Sequence, residues 1–384
     1  MQKKTVLFLV NHDVVIYNFR LELVERLIAD GHEVHISSPY GERIDDLVKL
    51  GAVYHEIKIA RHGTNPVTDS ALIWNYIKLL KQVKPNIVFS YTIKPNIYGG
   101  IACRLMNVPQ VANVTGLGTA VENPGLTQKI TLALYRFAFK KIQRIFFQNT
   151  ENRQFFIDHN LFTDKHGLLP GSGVNLGRFA PLPYPDETDG IHFVFISRIM
   201  HEKGIEQYLD AAKHFKAAEP AEAPDSRHSE RSEESSAVPR TTFHICGFCE
   251  AEYQGKLEEY AKNGTVVYHG MVRDVREIFK NVHCTIHPSF YPEGISNVLL
   301  ESCACARPII TTDRSGCREV VDDGENGFVV KQRDSEDLVQ KIEKFLALSH
   351  EQKIQMGLAG RAKMEREFDR QVVVNAYLKE MEMV

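Results

Sequence analysis

Two glutamates, Glu293 and Glu301, stand eight positions apart in the stretch HPSFYPEGISNVLLESCACARPIITTDRSGCREVVDDGENGFVV, which runs from His287 to Val330. Gly294 follows the first, and Ile-Ser-Asn-Val-Leu-Leu then reads as a loop passing into a helix that begins near Ser296. Eight residues are a little over two helical turns, so Glu301 sits some way down such a helix while Glu293 stays at its mouth. The start of a helix offers backbone N–H groups and the positive end of the dipole, a ready site for an anion. One short element could therefore present Glu293 to sugar hydroxyls. The backbone of Gly294, Ser296, Asn297 and Val298 could serve a diphosphate, and Glu301 a ribose. A nucleotide sugar needs all three.

A pair of cations fits the same chemistry. Within SRIMHEKGIE, Arg198 ends a predicted strand and Lys203-Gly204 opens the next helix. Cations at a strand end and a helix start can reach one diphosphate from two sides. No Asp-x-Asp pair follows a strand in either half of the chain. Cationic side chains and a helix N-terminus are therefore expected to neutralise the leaving group, with no divalent metal and no cofactor.

These residues need a scaffold, and the chain has the length for one. Its 384 residues suit two domains of ordinary size. Hydrophobic residues at 43% and charged ones at 25% are those of a soluble globular protein. A net charge of −3 gives no global basic field, which argues against nucleic acid as a partner. Seven scattered cysteines, an odd number, suit a reducing compartment. No segment reaches the ~18 consecutive apolar residues of a membrane span. The N-terminal apolar run is too short for a signal peptide and reads as a buried strand, Thr5–Val10.

Strand and helix patterns then alternate. Strands are predicted at Glu33–Ser37, Asn86–Ser90 and Gln110–Val114, and helices at Arg20–Ala29 and Ala71–Val83. Such units imply a parallel sheet with ligands at the strands' carboxyl ends. The loops expected there are Asn11–Arg20, Arg61–Pro66, Tyr91–Gly100 and Thr115–Thr119. The Gly- and Pro-rich stretch 171–190 reads as a linker between a first domain, 1–170, and a second, 191–366. Between about 216 and 240 the second domain carries a charged, Ser- and Ala-rich segment, expected to be a disordered insertion. The tail, 367–384, is expected to be helical.

The Glu293–Glu301 spacing resembles the glutamate–seven-residues–glutamate motif of retaining family-4 glycosyltransferases of GT-B fold. The flanks match too: His-Pro-Ser at 287–289, Pro308, Gly316, Glu319 and DGENGFVV at 323–330. Gly247 stands at that family's glycine position. The resemblance implies an α/β protein of two Rossmann-like domains with parallel sheets, its C-terminal helix crossing back to the N-terminal domain. It implies a nucleotide-sugar donor, UDP-linked, held mostly by the second domain, with Arg198 and Lys203 on the leaving diphosphate. Transfer would retain the anomeric configuration, by same-face attack of an acceptor hydroxyl whose proton passes to the departing phosphate oxygen. The alternative is a covalent intermediate, for which no carboxylate is clearly placed as the nucleophile.

The first domain departs from the commoner family pattern. Thr115-Gly-Leu-Gly118 stands where many members carry a histidine, and VIYNFR at 15–20 replaces a double glycine. With Arg61, Asn65-Pro66 and Lys94, these features resemble a subgroup extending polyprenyl-diphosphate-linked sugars in O-antigen, capsule and bacterial N-glycan assembly. That subgroup's acceptor is a lipid-linked saccharide. Here Tyr17, Arg20, Arg61, Lys94, Thr115, Gly116 and Gly118 would face it, the cations holding its diphosphate. Such an acceptor implies a cytoplasmic protein, peripheral on the inner face of the plasma membrane. Leu126–Lys141 reads either as a well-buried domain helix with a solvated basic edge or as a membrane contact, because its apolar residues spread wider than one core-facing stripe and Lys129, Arg136 and Lys140 share one face. A nucleotide-sugar epimerase would need acid/base carboxylates in the first domain, whose loops are basic or glycine-rich. A silent nucleotide-sugar-binding module would not need Arg198, Lys203 and Glu293 together.

Overall fold

A computed structural model describes residues 2–59, 66–118, 121, 124–162, 165–218 and 239–384. Arg61 and the heart of the expected insertion, 219–238, lie outside the described residues. The chain forms two compact units. Unit 1 takes Met1–Gly173, the short piece Pro292–Ile295 and the tail Phe368–Val384. Unit 2 takes Val174–Tyr291 and Ser296–Glu367.

Unit 1 is built on a seven-stranded parallel sheet: β1 Thr5–Leu9, β2 Glu33–Ser38, β3 Val53–Glu56, β4 Ile87–Tyr91, β5 Gln110–Val114, β6 Arg144–Phe147 and β7 His166–Leu168. Their order is β3-β2-β1-β4-β5-β6-β7, with β1 pairing in parallel with both β2 and β4. Helices cover both faces, so β4 and β5 are buried along their whole length and β1 along all but Thr5, as parallel sheets demand. The two-residue strand period divides them: Leu7 and Leu9 join one core layer, and Val6 and Phe8 the other.

The tail completes unit 1. The helix Arg370–Glu382 starts on an Asp369 cap that accepts from Gln371 N at 2.9 Å. Arg370 bonds both Glu22 carboxylate oxygens, at 2.9 and 3.0 Å. Glu380 meets Arg144 at 2.7 Å. The Tyr377 ring lies 4.9 Å from Phe89 and 5.3 Å from Phe146.

Two loop expectations in unit 1 give way to helix. Asn11–Arg20 contains the helix Asp13–Phe19, whose His12 cap accepts from Val14 N at 3.3 Å. Its β-branched Val14-Val15-Ile16 run hides that helix from propensity. Tyr91–Gly100 contains a π-helical turn over Pro95–Gly99, a form found mostly at single functional turns.

Unit 2 repeats the plan with β8 Ile191–Ile196, β9 Thr241–Cys246, β10 Val267–Tyr268, β11 Cys284–His287, β12 Ile309–Thr312 and β13 Gly327–Val330. The parallel order is β10-β9-β8-β11-β12-β13. A row of imidazoles crosses this sheet. Nδ1 of His192 lies 2.9 Å from Nε2 of His244, whose Nδ1 lies 2.9 Å from Nε2 of His269. Nδ1 of His283 accepts the His192 backbone N–H at 3.0 Å. Both sheets are parallel with alternating helices, and the C-terminal helix belongs to unit 1, in agreement with the sequence reading.

Candidate active site

In unit 2, strand order reverses between β8 and β11, the switch point where α/β sheets place ligands. Arg198 follows β8 and Tyr291 follows β11. The Arg198 guanidinium stands 5.7 Å from the centre of the Tyr291 ring, and the Lys203 ammonium 4.9 Å. The structure therefore brings these two expected cations together around one aromatic ring. Arg198 is exposed and Lys203 is buried. Lys203 ends the 3-10 turn His201–Lys203, and Gly204 follows it with φ +77°. A Cβ on Gly204 would sit 2.1 Å from the Pro288 carbonyl oxygen, so the cationic turn is pinned to the strand loop beside it.

The expected helix of unit 2 runs Asn297–Ala304, with Ser296 as N-cap. Ser296 makes no side-chain capping bond, which leaves its first-turn N–H groups uncapped by that hydroxyl. Asn297 and Val298 form the first turn, and Glu301 follows one turn further along, half-buried. The helix start is held from below. Ser296 N donates to the Gly316 carbonyl at 2.8 Å, and Glu319 accepts from Gly316 N at 2.7 Å. Gly247 follows β9 with φ +139°, where a Cβ would fall 1.8 Å from the Ser197 oxygen. The adjoining Cys246 thiol is pushed up to about 12 by burial, the reverse of what a redox thiol at the Cys246–Cys249 spacing requires.

Glu293 and Gly294 count with unit 1. Asn149 Nδ2 donates to the carbonyls of Glu293 at 3.1 Å and Gly294 at 2.7 Å. Ile295 N donates to Gln148 Oε1 at 3.3 Å. Gly116 lies against the same segment: a Cβ there would come within 2.8 Å of the Pro292 oxygen. Thr115 and Gly116 thus approach Pro292–Gly294, with Gly118 two residues on at φ +68°. The Gln148 and Asn149 contacts were missed in the sequence. Their signal was a polar pair directly after the apolar strand RIFF.

Among the described residues, the other acceptor-side candidates are each engaged by a neighbour. Arg20 is 2% exposed, its guanidinium 5.0 Å from the Tyr91 ring and 5.7 Å from Tyr377. It packs the tail helix and is not presented to a diphosphate. Lys94 pairs with Asp69 at 3.0 Å, and Tyr98 donates to the same carboxylate at 2.8 Å. Tyr17 lies 4.5 Å beneath the Arg43 guanidinium.

Residues 184–363 match the family model of glycosyl transferases group 1, and residues 5–149 match that of glycosyl transferase 4-like domains. An N,N'-diacetylbacillosaminyl-diphospho-undecaprenol alpha-1,3-N-acetylgalactosaminyltransferase of Campylobacter jejuni is 24% identical over 97% of this chain and 96% of its own length. A UDP-Gal:alpha-D-GlcNAc-diphosphoundecaprenol alpha-1,3-galactosyltransferase of Escherichia coli is 24% identical over 80% of this chain and 77% of its own. A glycosyltransferase of Rickettsia africae shares the fold at TM-score 0.77 and 17% identity, covering 99% of this chain and 98% of that one. Anabaena HepE, solved with UDP and glucose, does so at TM-score 0.76 and 15% identity, covering 99% and 100%. With one glycosyltransferase domain in each half, the chain belongs to the family-4 glycosyltransferases of GT-B fold.

Proposed function

We propose that this enzyme moves a sugar from a UDP-sugar to a polyprenyl-diphosphate-linked saccharide, with retention of anomeric configuration, in the assembly of a cell-surface polysaccharide or glycan. The observation that carries the donor half is the convergence of Arg198 and Lys203 on Tyr291 at the switch point of unit 2. Two cations beside one ring suit a diphosphate whose charge grows as the bond to the sugar lengthens. In the reaction the bond from C1 to the UDP oxygen breaks and a bond from C1 to the acceptor oxygen forms on the same face. The acceptor's proton goes to the departing phosphate oxygen. Glu293 meets a sugar hydroxyl, Glu301 the ribose, and the first turn at Ser296, Asn297 and Val298 the phosphates. Support for the acceptor comes from the Campylobacter and Escherichia relatives, both named for undecaprenyl-diphosphate-linked substrates.

The test is a panel of UDP-sugars, screened first by thermal shift and then for transfer to a synthetic polyprenyl-diphosphate saccharide. NMR of the product reads the new linkage, expected to keep the donor's configuration. An inverted linkage would remove the retaining mechanism. A donor interconverted without transfer would indicate an epimerase, and binding without turnover a silent module. EDTA is expected to leave activity largely intact, and a strict requirement for added Mg²⁺ or Mn²⁺ would overturn the metal-free reading.

A lipid-linked acceptor places the enzyme at a bilayer, and we propose a peripheral position on the cytoplasmic face. No described helix is long and apolar enough to cross a membrane. In the helix Leu126–Ala138, Thr131, Leu132, Tyr135 and Ala138 are buried, while Leu126, Ile130 and Phe137 remain exposed. Lys129 and Lys140 are exposed beside them, but Arg136 donates to the carbonyls of His159 and Asn160, at 2.8 and 3.3 Å. All three expected cations are thus exposed, and Arg136 is the one also tied to backbone carbonyls. Flotation with anionic liposomes is expected to be strong at low salt and weak at high salt. Changing Lys129 and Lys140 together to Gln should reduce it. Equal recovery of wild type and variant in the soluble fraction at low salt would exclude this helix as the contact.

A further inference from the structure

We infer that Gln148 and Asn149, at the carboxyl end of β6, are an amide clamp that positions Glu293 for sugar transfer. This rests on the reading above, in which Glu293 meets a hydroxyl of the donor sugar. The main chain around Glu293 is held on both sides by side-chain amides of unit 1. Asn149 Nδ2 donates to the Glu293 and Gly294 carbonyls at 3.1 and 2.7 Å, and Asn152 Nδ2 reaches the Glu293 carbonyl at 3.4 Å. Gln148 Oε1 receives Ile295 N–H at 3.3 Å. Asn149 and Gln148 are buried at 1% and 5% exposure, so these bonds are shielded from water.

Gly294 supplies a second observation. A Cβ there would stand 2.0 Å from Gln148 Oε1 and 2.7 Å from the Thr115 oxygen. The segment is drawn so close to the clamp that only glycine fits between them. The clamp is itself backed by polar partners. Gln148 Nε2 donates to Asn113 Oδ1 at 3.2 Å, and Asn113 Nδ2 to Tyr377 Oη at 3.0 Å. Asn96 Nδ2 donates to the Asn113 carbonyl at 2.9 Å. A connected buried network of this kind holds one geometry, and transfer chemistry is sensitive to displacements of about 1 Å.

Asn149 also has an ordinary structural duty, since its Oδ1 caps the helix Thr150–Asp158 by accepting from Asn152 N at 2.8 Å. The two duties separate by mutation. Asn149→Asp and Asn149→Ser both keep a capping acceptor but lose the Nδ2 donor. Both are expected to cut kcat by ~10–100-fold while UDP affinity, read by thermal shift, stays within a few-fold. Glu293→Gln is measured alongside. If it is slow and both Asn149 variants run at wild-type rate, the clamp is overturned while the transferase reading stands. If Glu293→Gln is itself near wild type, the clamp and the role of Glu293 fail together. Should the aspartate variant fold poorly against two carbonyls, the serine variant decides. Loss of melting temperature and UDP binding in that variant, in step with rate, would make Asn149 a folding residue and overturn the inference.

Discussion

Lys203→Ala and Arg198→Ala are each expected to lower kcat by ~10²–10³, the loss of roughly 2.7–4 kcal/mol of transition-state stabilisation from one charge-directed contact. In the ground state the diphosphate is already charged, and part of the cations' attraction is spent equally on substrate and transition state. The increment that matters is the negative charge arriving on the bridging oxygen as the sugar leaves, and a fixed cation responds to that increment without reorganising. Lys203 is fixed. It is buried at 8% exposure, and Gly204 behind it touches the Pro288 backbone too closely for any side chain. Arg198 is exposed, with its guanidinium over Tyr291 at 5.7 Å. The lysine should therefore show its loss chiefly in kcat, and the arginine in both kcat and KM. Steady-state kinetics on the transfer assay, with melting temperatures as a control for folding, read this directly. Variants with near-normal kcat and intact folds would show that the leaving diphosphate is met elsewhere.

These cations, and the helix start at Ser296, were legible in the sequence because their signals are local. Arg198 and Lys203 lie five residues apart on one strand–turn unit, and Glu301 follows Ser296 along one helix. What stayed hidden is non-local. Asn149 and Glu293 are separated by 144 residues, and no periodicity in either segment announces their bond. Arg20 carries the opposite lesson. As a cation in a cleft-facing loop it suited an acceptor diphosphate, yet it is buried against Tyr91 and against Tyr377 from the far end of the chain. Lys94 was likewise committed to Asp69, on a helix whose side-chain partners composition cannot specify. Spacing reveals which residues share an element. It does not reveal which charge another element has already neutralised.

Unit 2 is expected to lose stability steeply as pH falls from about 6.5 to about 4, through the imidazole row across its sheet. Burial first, and then the neighbouring His192 and His269, hold His244 down to about 4. Burial likewise holds His283 at about 4, against a bond from its Nε2 to the Asp186 carbonyl at 3.0 Å. His192 and His269 are lowered as well, again first by burial. Charged neighbours act on the row from outside: Asp189 and Glu187 favour protonation, and Arg240 and Lys353 oppose it. The chemistry follows from the geometry. In a row of neutral rings each N–H faces a lone pair. A proton added to His283 Nδ1 removes the acceptor for His192 N–H, and one added to His244 sets two donors face to face.

The sign is that of a depressed histidine: the unfolded chain, titrating near 6.5, takes up protons that the folded row refuses, so stability rises with pH across this window. It is fully present above about 6.5 and lost on the way down to about 4. At 1.36 kcal/mol per tenfold, a descent from 6.5 to about 4 is worth about 3 kcal/mol for each of His244 and His283. Denaturant unfolding between pH 4.5 and 7 measures the slope. His244→Gln, which keeps a polar side chain in the row but cannot titrate, should flatten it by about one proton. Because β8 carries His192 and leads on to Arg198, acid inactivation should track this unfolding. A wild type with the same stability at pH 5 and pH 7, or a His244→Gln variant with an unchanged slope, would show that the row titrates alike in the folded and unfolded chain.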